Sequence, residues 1–227
     1  MLFRSQAALA RSGAQVGLAH DGDADRLLAV DEHGTLVDGD VILAIAALDV
    51  RDRGQLPTNT VVTTVMTNLG FRQAMDHHGI AVEQTAVGDR YVLEAMRAGG
   101  HALGGEQSGH LIFLDRATTG VGLLTGLRLL SVVARTGQPL SELAKVMRRL
   151  PQVLVNVRVA DRHALEGADS VWRAVADEEG RLGERGRVLV RPSGTEALVR
   201  VMVEAETEQE AKATADRLAA VVAAELG

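Results

Sequence analysis

Cysteine is absent from the 227-residue sequence, which excludes a disulfide framework, a thiolate metal site and a cysteine nucleophile, and suits a reducing cytoplasm. Aromatic residues are scarce, with three Phe, one Tyr and one Trp. A core must therefore be filled by Leu, Val and Ala, and little is present on which nucleic-acid bases could stack. The chain has no basic run and a formal net charge of −6, which argues against nucleic acid or an anionic membrane as the main partner. It opens with no apolar stretch of signal-peptide length, and no window approaches a membrane span. These absences together point to a cytoplasmic protein. The 46% hydrophobic and 24% charged residues that are present are ordinary for a globular chain, long enough for one large domain or two smaller ones.

The most informative stretch is His20-Asp21-Gly22-Asp23-Ala24-Asp25-Arg26. Carboxylates at i, i+2 and i+4 of an extended loop face one side, where like charges a few Å apart repel unless a cation lies between them. Oxygen-only ligands favour a hard ion, Mg²⁺ before Zn²⁺. The run 14–19 reads as a short strand entering the loop and Leu27-Leu28-Ala29-Val30 as a strand leaving it, which suits an α/β enzyme. A helical calcium hand is disfavoured because Arg26 stands where the sharp turn needs Gly. A haloacid-dehalogenase-type phosphatase wants Thr or Val where Asp25 stands. A solvated acidic turn remains open on this loop alone.

Residues 1–12 read as a helix, and the metal loop follows within twenty residues, too early for a complete open sheet, so the chain is expected to begin inside a domain. A helix starting at Asp38-Gly39-Asp40, a strand at 60–65, a helix opening at Asn68-Leu69-Gly70, a strand at 80–82 and a helix from Gly88-Asp89-Arg90 to Ala98 predict a parallel or mixed sheet. Gly104-Gly105-Glu106-Gln107-Ser108-Gly109-His110 reads as a flexible loop whose side chains suit a hydroxyl-rich ligand. Thr118-Thr119-Gly120 is expected to cap a helix over 121–134, and 141–149 reads as amphipathic, ending at Pro151. Beyond it, strands at 153–159, 187–190 and 197–203 and helices near 168–178 and 208–226 predict a small α+β layer. Between the last two strands, Arg191-Pro192-Ser193-Gly194-Thr195-Glu196 carries the inventory of an anion-binding nest, although a plain hairpin turn also accounts for it.

Taken together and in order, Asp21-Gly22-Asp23-Ala24-Asp25-Arg26, Gly105-Glu106-Gln107-Ser108-Gly109-His110 and Arg191-Pro192-Ser193-Gly194-Thr195-Glu196 resemble the metal, sugar and phosphate loops of the α-D-phosphohexomutase family. Thr67-Asn68-Leu69-Gly70, Val87-Gly88-Asp89-Arg90-Tyr91 and Arg200-Val201-Met202-Val203-Glu204-Ala205 resemble its bacterial branch acting on glucosamine phosphates. The resemblance implies an α/β chain in three parts. These are the end of the second family domain (1–36), a complete third α/β domain with a mixed sheet (37–150) and a smaller α+β fourth domain (151–227).

It further implies that Asp21, Asp23 and Asp25 hold Mg²⁺, with Arg26 beside the metal and the reacting phosphate. Glu106 and Ser108 would bind sugar hydroxyls, with His110 as candidate general acid/base. Arg191, Ser193, Gly194 and Thr195 would bind the non-reacting phosphate, and Gly88, Asp89 and Arg90 would add a substrate contact. The implied reaction interconverts glucosamine 6-phosphate and glucosamine 1-phosphate through a hexosamine 1,6-bisphosphate, in the supply of amino-sugar and cell-wall precursors. The phosphomannomutase and phosphoglucomutase branches, or a non-catalytic binder of metal and phosphosugar, are the alternatives.

The family's phosphoserine lies in a first-domain loop resembling Thr-Ala-Ser-His-Asn. Ser5, Ser12, Ser108, Ser131, Ser141, Ser170 and Ser193 are the serines here, and none has that context. An N-terminal half, in cis or in trans, is therefore expected as a partner. Val121 for an acidic residue, Ala197 for Pro and Ala24 for Gly are smaller departures, the last mild provided its φ is negative.

Overall fold

The structure, a computed structural model, describes residues 2–227; Met1, part of the expected first helix, lies outside the described residues. The chain forms two compact units, Met1–Arg148 and Arg149–Gly227.

In the first unit, α1 (Leu2–Ser12) precedes a hairpin of β1 (Gly17–His20) and β2 (Leu27–Val30), with β3 (Leu36–Val37) on the far side of β2. All pairings in this sheet are antiparallel. Next come α2 (Gly39–Asp52), β4 (Thr60–Thr64), α3 (Leu69–His77), β5 (Ala81–Thr85), α4 (Asp89–Gly99), β6 (Leu103–Gly105), β7 (Leu111–Phe113) and α5 (Gly122–Thr136). Their sheet has the order β5-β4-β6-β7, parallel except for the final antiparallel pair, which is the expected mixed sheet.

Alternation along its strands builds a layer on each face. Val61, Leu103 and Leu111 join Phe71 and Met75 of α3 and the apolar run of α2 in the main core. Val62 and Ile112 turn the other way, onto Val92 and Met96 of α4. The β-branched run predicts this central strand, buried from Val61 to Thr64.

Three local expectations fail. Gly104 and Gly105 are strand residues in β6, so the sugar loop is shorter than its composition suggests. Gly104 is there because a Cβ would press on the Met96 sulfur and the Val92 side chain. Thr118 and Thr119 do not cap α5: its N-cap is Val121, whose side chain makes no capping bond. The stretch 141–149 is not one amphipathic helix, since α6 (Leu140–Leu143) passes at once into a 3₁₀ turn at Ala144–Val146.

The second unit is a three-stranded antiparallel sheet, β8 (Gln152–Arg158), β10 (Leu198–Glu204) and β9 (Arg187–Pro192) in that spatial order, with α7 (Asp169–Leu182) and α8 (Glu208–Leu226) packed on it. Val153, Val155 and Val157 pack on the helices while Leu154, Asn156 and Arg158 are exposed, as the alternation predicts. A 3₁₀ segment at Arg162–Gly167, not foreseen from sequence, leads into α7. Between α7 and α8 the buried Glu178 carboxylate accepts both Nε (2.7 Å) and Nη2 (2.8 Å) of Arg217. Those hydrogen bonds outweigh burial and hold its carboxyl below the usual glutamate range.

Candidate functional site

The hairpin β1–β2 puts six residues, Asp21 to Arg26, in its connecting loop. One oxygen from each of Asp21, Asp23 and Asp25 lies within 4.8 Å of the others, the convergence expected from their spacing. The Arg26 backbone N–H donates to Asp21 Oδ1 (3.3 Å), and its Nε lies 3.6 Å from Asp21 Oδ2 and 3.7 Å from Asp25 Oδ1. Burial works against both end carboxylates. At Asp21 it is overcome by hydrogen bonds from the Arg26 backbone and the Asp25 side chain, so its pKa falls. At Asp25 burial is reinforced by Asp21 and Asp23, and the pKa rises. Asp25 Oδ1 is buried with no hydrogen-bond partner. Three convergent carboxylates, with one oxygen of Asp25 buried and unsatisfied, fit a hard divalent cation.

The proviso attached to Ala24 fails, since its φ is +59°. A non-glycine residue in the left-handed region costs about 1–2 kcal/mol. Its carbonyl is used there, accepting the Gly122 N–H at 2.9 Å, so the first residue of α5 sits on the metal loop. A side chain at Gly122 would run into the carbonyls of Ala24 and Arg26 and the His20 ring.

The 106–110 loop is tied through its main chain to β2, where the 21–26 loop ends, and to the start of α2. Leu27 N–H donates to Gly109 O (3.0 Å) and Gly39 N–H to Gln107 O (3.2 Å). Within the loop, Glu106 N–H donates to His110 O and Gly109 N–H to Glu106 O, both 3.0 Å. Gly109 has φ +94°, and a Cβ on it would strike the Leu27 carbonyl. The Glu106 carboxylate accepts the Gly88 N–H (3.1 Å) at the start of α4, where the helix dipole favours an anion.

His110, 3% exposed, has Nε2 at 3.8 Å from Asp25 Oδ2 and 4.0 Å from Asp89 Oδ2. Its Nε2 also accepts the Gly120 N–H at 3.0 Å. The neutral ring therefore carries its proton on Nδ1, which is buried without a partner. Gly120 has no room for a side chain, because the His110 ring covers it.

Asp21, Asp23, Asp25, Arg26, Gly88, Asp89, Glu106 and His110 are thus gathered in one region of the first unit, with Ser108 exposed on the same loop. Arg90 points elsewhere, its Nε bonding Glu94 one turn along α4 at 2.8 Å.

In the second unit, the turn after β9 is closed by Ser193 N–H to Leu198 O (2.8 Å) and Glu196 N–H to Ser193 Oγ (3.3 Å). Gly194 and Thr195 are exposed at its tip. Arg191 stands opposite Arg200 in the β9–β10 register, and burial together with the Arg200 charge lowers the Arg191 pKa. Arg200 Nε is buried without a hydrogen-bond partner. From outside the turn, Arg162 Nη1 donates to Ser193 O at 2.8 Å. Arg200 and Arg162 are additions to the site residues read from sequence. The strand register pairs Arg200 with Arg191, a signal available only once the hairpin length is known. Arg200 Nη2 lies 3.7 Å from Glu196 Oε2, and the two facing guanidiniums, one with an unsatisfied N–H, have the chemistry to take an anion.

The family model for "Phosphoglucomutase/phosphomannomutase, alpha/beta/alpha domain III" matches residues 38–150, and that for the C-terminal domain of the same proteins matches 154–221. The chain belongs to this family, the α-D-phosphohexomutases. It is 65% identical over 221 residues to the phosphoglucosamine mutase of Frankia alni, covering 97% of this chain and 49% of that protein. With the phosphoglucosamine mutase of Acidothermus cellulolyticus it shares 60% over 222 residues, covering 98% and 48%. The Aspergillus fumigatus N-acetylphosphoglucosamine mutase, solved with GlcNAc-6P and magnesium, superposes with a TM-score of 0.76 at 24% identity, covering 92% of this chain and 49% of that one. The chain therefore spans about half the length of the curated relatives it matches.

Proposed function

We propose that this chain is the C-terminal half of a phosphoglucosamine mutase, interconverting glucosamine 6-phosphate and glucosamine 1-phosphate through the 1,6-bisphosphate once joined to the half that relatives carry ahead of it. The partition at residues 36 and 150 and a cytoplasmic location belong to the same reading. The observation that carries it is the main-chain union of a three-carboxylate loop with the Glu106–His110 loop in one unit. The identity to phosphoglucosamine mutases sets the amino-sugar branch above the glucose and mannose branches.

Asp21, Asp23 and Asp25 hold Mg²⁺, which when bound neutralises charge on the phosphoryl oxygens. Arg26 adds a cation beside it. Glu106, fixed by Gly88, accepts from a sugar hydroxyl, and Ser108 offers its own. Asp89 and His110 lie side by side and Gly88 completes that edge, while Arg90, a substrate contact in the same reading, must leave Glu94 to reach it. Proton exchange at His110 Nε2 requires its bond from Gly120 to give way, so its part in the resting arrangement is to position the 118–120 turn. Arg191, Ser193, Gly194 and Thr195 bind the phosphate that is not reacting, which holds the sugar while the other end does chemistry. None of the seven serines stands in a phosphoserine loop of the family type.

Phosphorus NMR of glucosamine 6-phosphate with Mg²⁺ and a trace of bisphosphate tests this. The expected result is interconversion by the half-chain fused to the preceding half of a relative, and none by the 227 residues alone. Turnover by the isolated chain, or preference of the fusion for mannose phosphates, would overturn the reading.

A further inference from the structure

We infer that the ring of Tyr91 is a stacking platform for the hexose of the substrate, set beside Glu106 at the start of α4. This rests on the proposed function and deepens it, by naming a residue that grips the sugar through its C–H face.

Tyr91 is the one tyrosine of the chain and is 48% exposed. It belongs to the first turn of α4, but the core takes other residues of that helix, Val92 and Met96, with Leu93 and Ala95 packed against them. Core packing therefore does not account for the ring. A long side chain in a helix leans back towards the N-terminus. The Tyr91 ring accordingly covers Gly88: a Cβ on Gly88 would stand 3.4 Å from Tyr91 Cδ2 and 3.7 Å from Cε2, and beyond its chain neighbours would meet nothing else within 4 Å.

Gly88 is also where the Glu106 carboxylate is held, accepting the Gly88 N–H at 3.1 Å. The next residue, Asp89, has Oδ2 4.0 Å from His110 Nε2. The residue before, Val87, is 46% exposed. Val87 and Tyr91, two of the seven large hydrophobics left exposed among the described residues, therefore flank the backbone that fixes Glu106. Exposed apolar groups beside convergent polar ones mark a ligand surface. An aromatic face next to a fixed carboxylate matches the two kinds of surface on a hexose, whose C–H groups line the ring faces and whose hydroxyls line the rim. The proposed reaction presents O1 and O6 in turn to one metal centre, so the sugar is held in two senses. A hydrogen bond fixes one orientation, whereas apolar contact is non-directional and serves both.

Incorporation of 3-fluorotyrosine labels this ring alone, so fluorine NMR of the 227-residue chain shows one tyrosine signal. Glucosamine 6-phosphate with Mg²⁺ should shift that signal saturably, and inorganic phosphate should not. In the fusion to the preceding half of a relative, Tyr91→Ala should raise KM for glucosamine 6-phosphate by about five- to tenfold. Its kcat should hardly change, because the platform binds ground state and transition state alike. Tyr91→Phe keeps the aromatic face and should keep the wild-type KM. A fluorine signal that no hexose phosphate moves, or that inorganic phosphate moves as far, would overturn the proposal. So would an unchanged KM in Tyr91→Ala, or a loss that Tyr91→Phe shares. The two readings fail separately. If the fusion interconverts glucosamine phosphates and Tyr91→Ala does so with unaltered KM, the platform is wrong and the function stands. If the fusion is inactive on glucosamine phosphates while the fluorine signal follows a mannose or glucose phosphate, the function is wrong and the platform stands.

Discussion

Gly109→Ala is the substitution that most directly probes how the two loops of the first unit are held together. Gly109 has φ +94°, and a Cβ there would meet the carbonyl of Leu27. Placing an L-residue in that backbone region costs about 1–2 kcal/mol. Moving the carbonyl aside adds overpacking of about 1–3 kcal/mol. The shift also strains the 3.0 Å Leu27 N–H to Gly109 O bond, worth about 1 kcal/mol net. A loss of about 3–6 kcal/mol for the first unit follows from these contributions together.

Gly137→Ala is the matched control. Its φ is +65°, at the C-cap of α5, with nothing within 4 Å of a Cβ, so only the backbone cost of about 1–2 kcal/mol applies. Urea unfolding followed by far-UV circular dichroism reads both variants. Fluorescence of the one tryptophan, Trp172 on α7, reports the second unit and should not move. Equal losses for the two glycines, or a loss below about 0.5 kcal/mol at Gly109, would refute the claim that contact with Leu27 governs the loop.

Asp23→Asn removes one of the three convergent carboxylates and should weaken Mn²⁺ binding, read by electron paramagnetic resonance, by about tenfold, since charge count sets affinity for hard cations; unchanged binding would place the metal elsewhere. Arg200→Ala should weaken inorganic phosphate binding, read by calorimetry, by about tenfold through loss of a charged donor, and an unaltered isotherm would leave Arg191 acting alone. Glu178 has a lowered folded pKa, so its stabilisation is present above its ordinary value of 4.5 and is lost as pH falls through the folded value. Glu178→Gln should therefore lower the Trp172 urea midpoint at pH 7 by an amount equivalent to about 1–3 kcal/mol and flatten its acid limb; a parallel shift at all pH values would show that the charge is not what counts.

What could be read from sequence was whatever depends on side-chain type at fixed spacing. Carboxylates two residues apart in a strand-to-strand loop must converge, so Asp21, Asp23 and Asp25 were legible as one group. Alternation told the two faces of β8 apart, and β-branched density marked β4 as central. The failures share a cause, which is tertiary contact overriding local composition. Gly104 and Gly105 looked like loop residues, yet glycine stands at Gly104 because Met96 and Val92 of α4 press on the strand there. Thr118 and Thr119 carried a capping signal, but His110 takes the Gly120 N–H and the helix starts at Gly122 against a carbonyl of the metal loop. Arg200 was overlooked because its partnership with Arg191 exists only across a hairpin register.

The same distinction explains why the metal and sugar loops are coupled so closely with so little side-chain chemistry between them. Leu27 to Gly109, Gly39 to Gln107 and Gly122 to Ala24 are main-chain hydrogen bonds that need close backbone approach, and a glycine stands in each pair. A Cβ at Gly39 would collide with the sugar-loop backbone, and one at Gly122 with the metal-loop carbonyls. Main-chain bonds of this kind carry no rotamer freedom, so the separation of the carboxylate group from Glu106 is set by the sheet and α2, while the side chains that face a ligand stay unencumbered. Ala24 is the position where this coupling is held against local preference, since its left-handed backbone presents the carbonyl to Gly122. Strain of this kind persists only where the surrounding structure over-determines it, and here the bond from Gly122 to Ala24 O supplies that constraint.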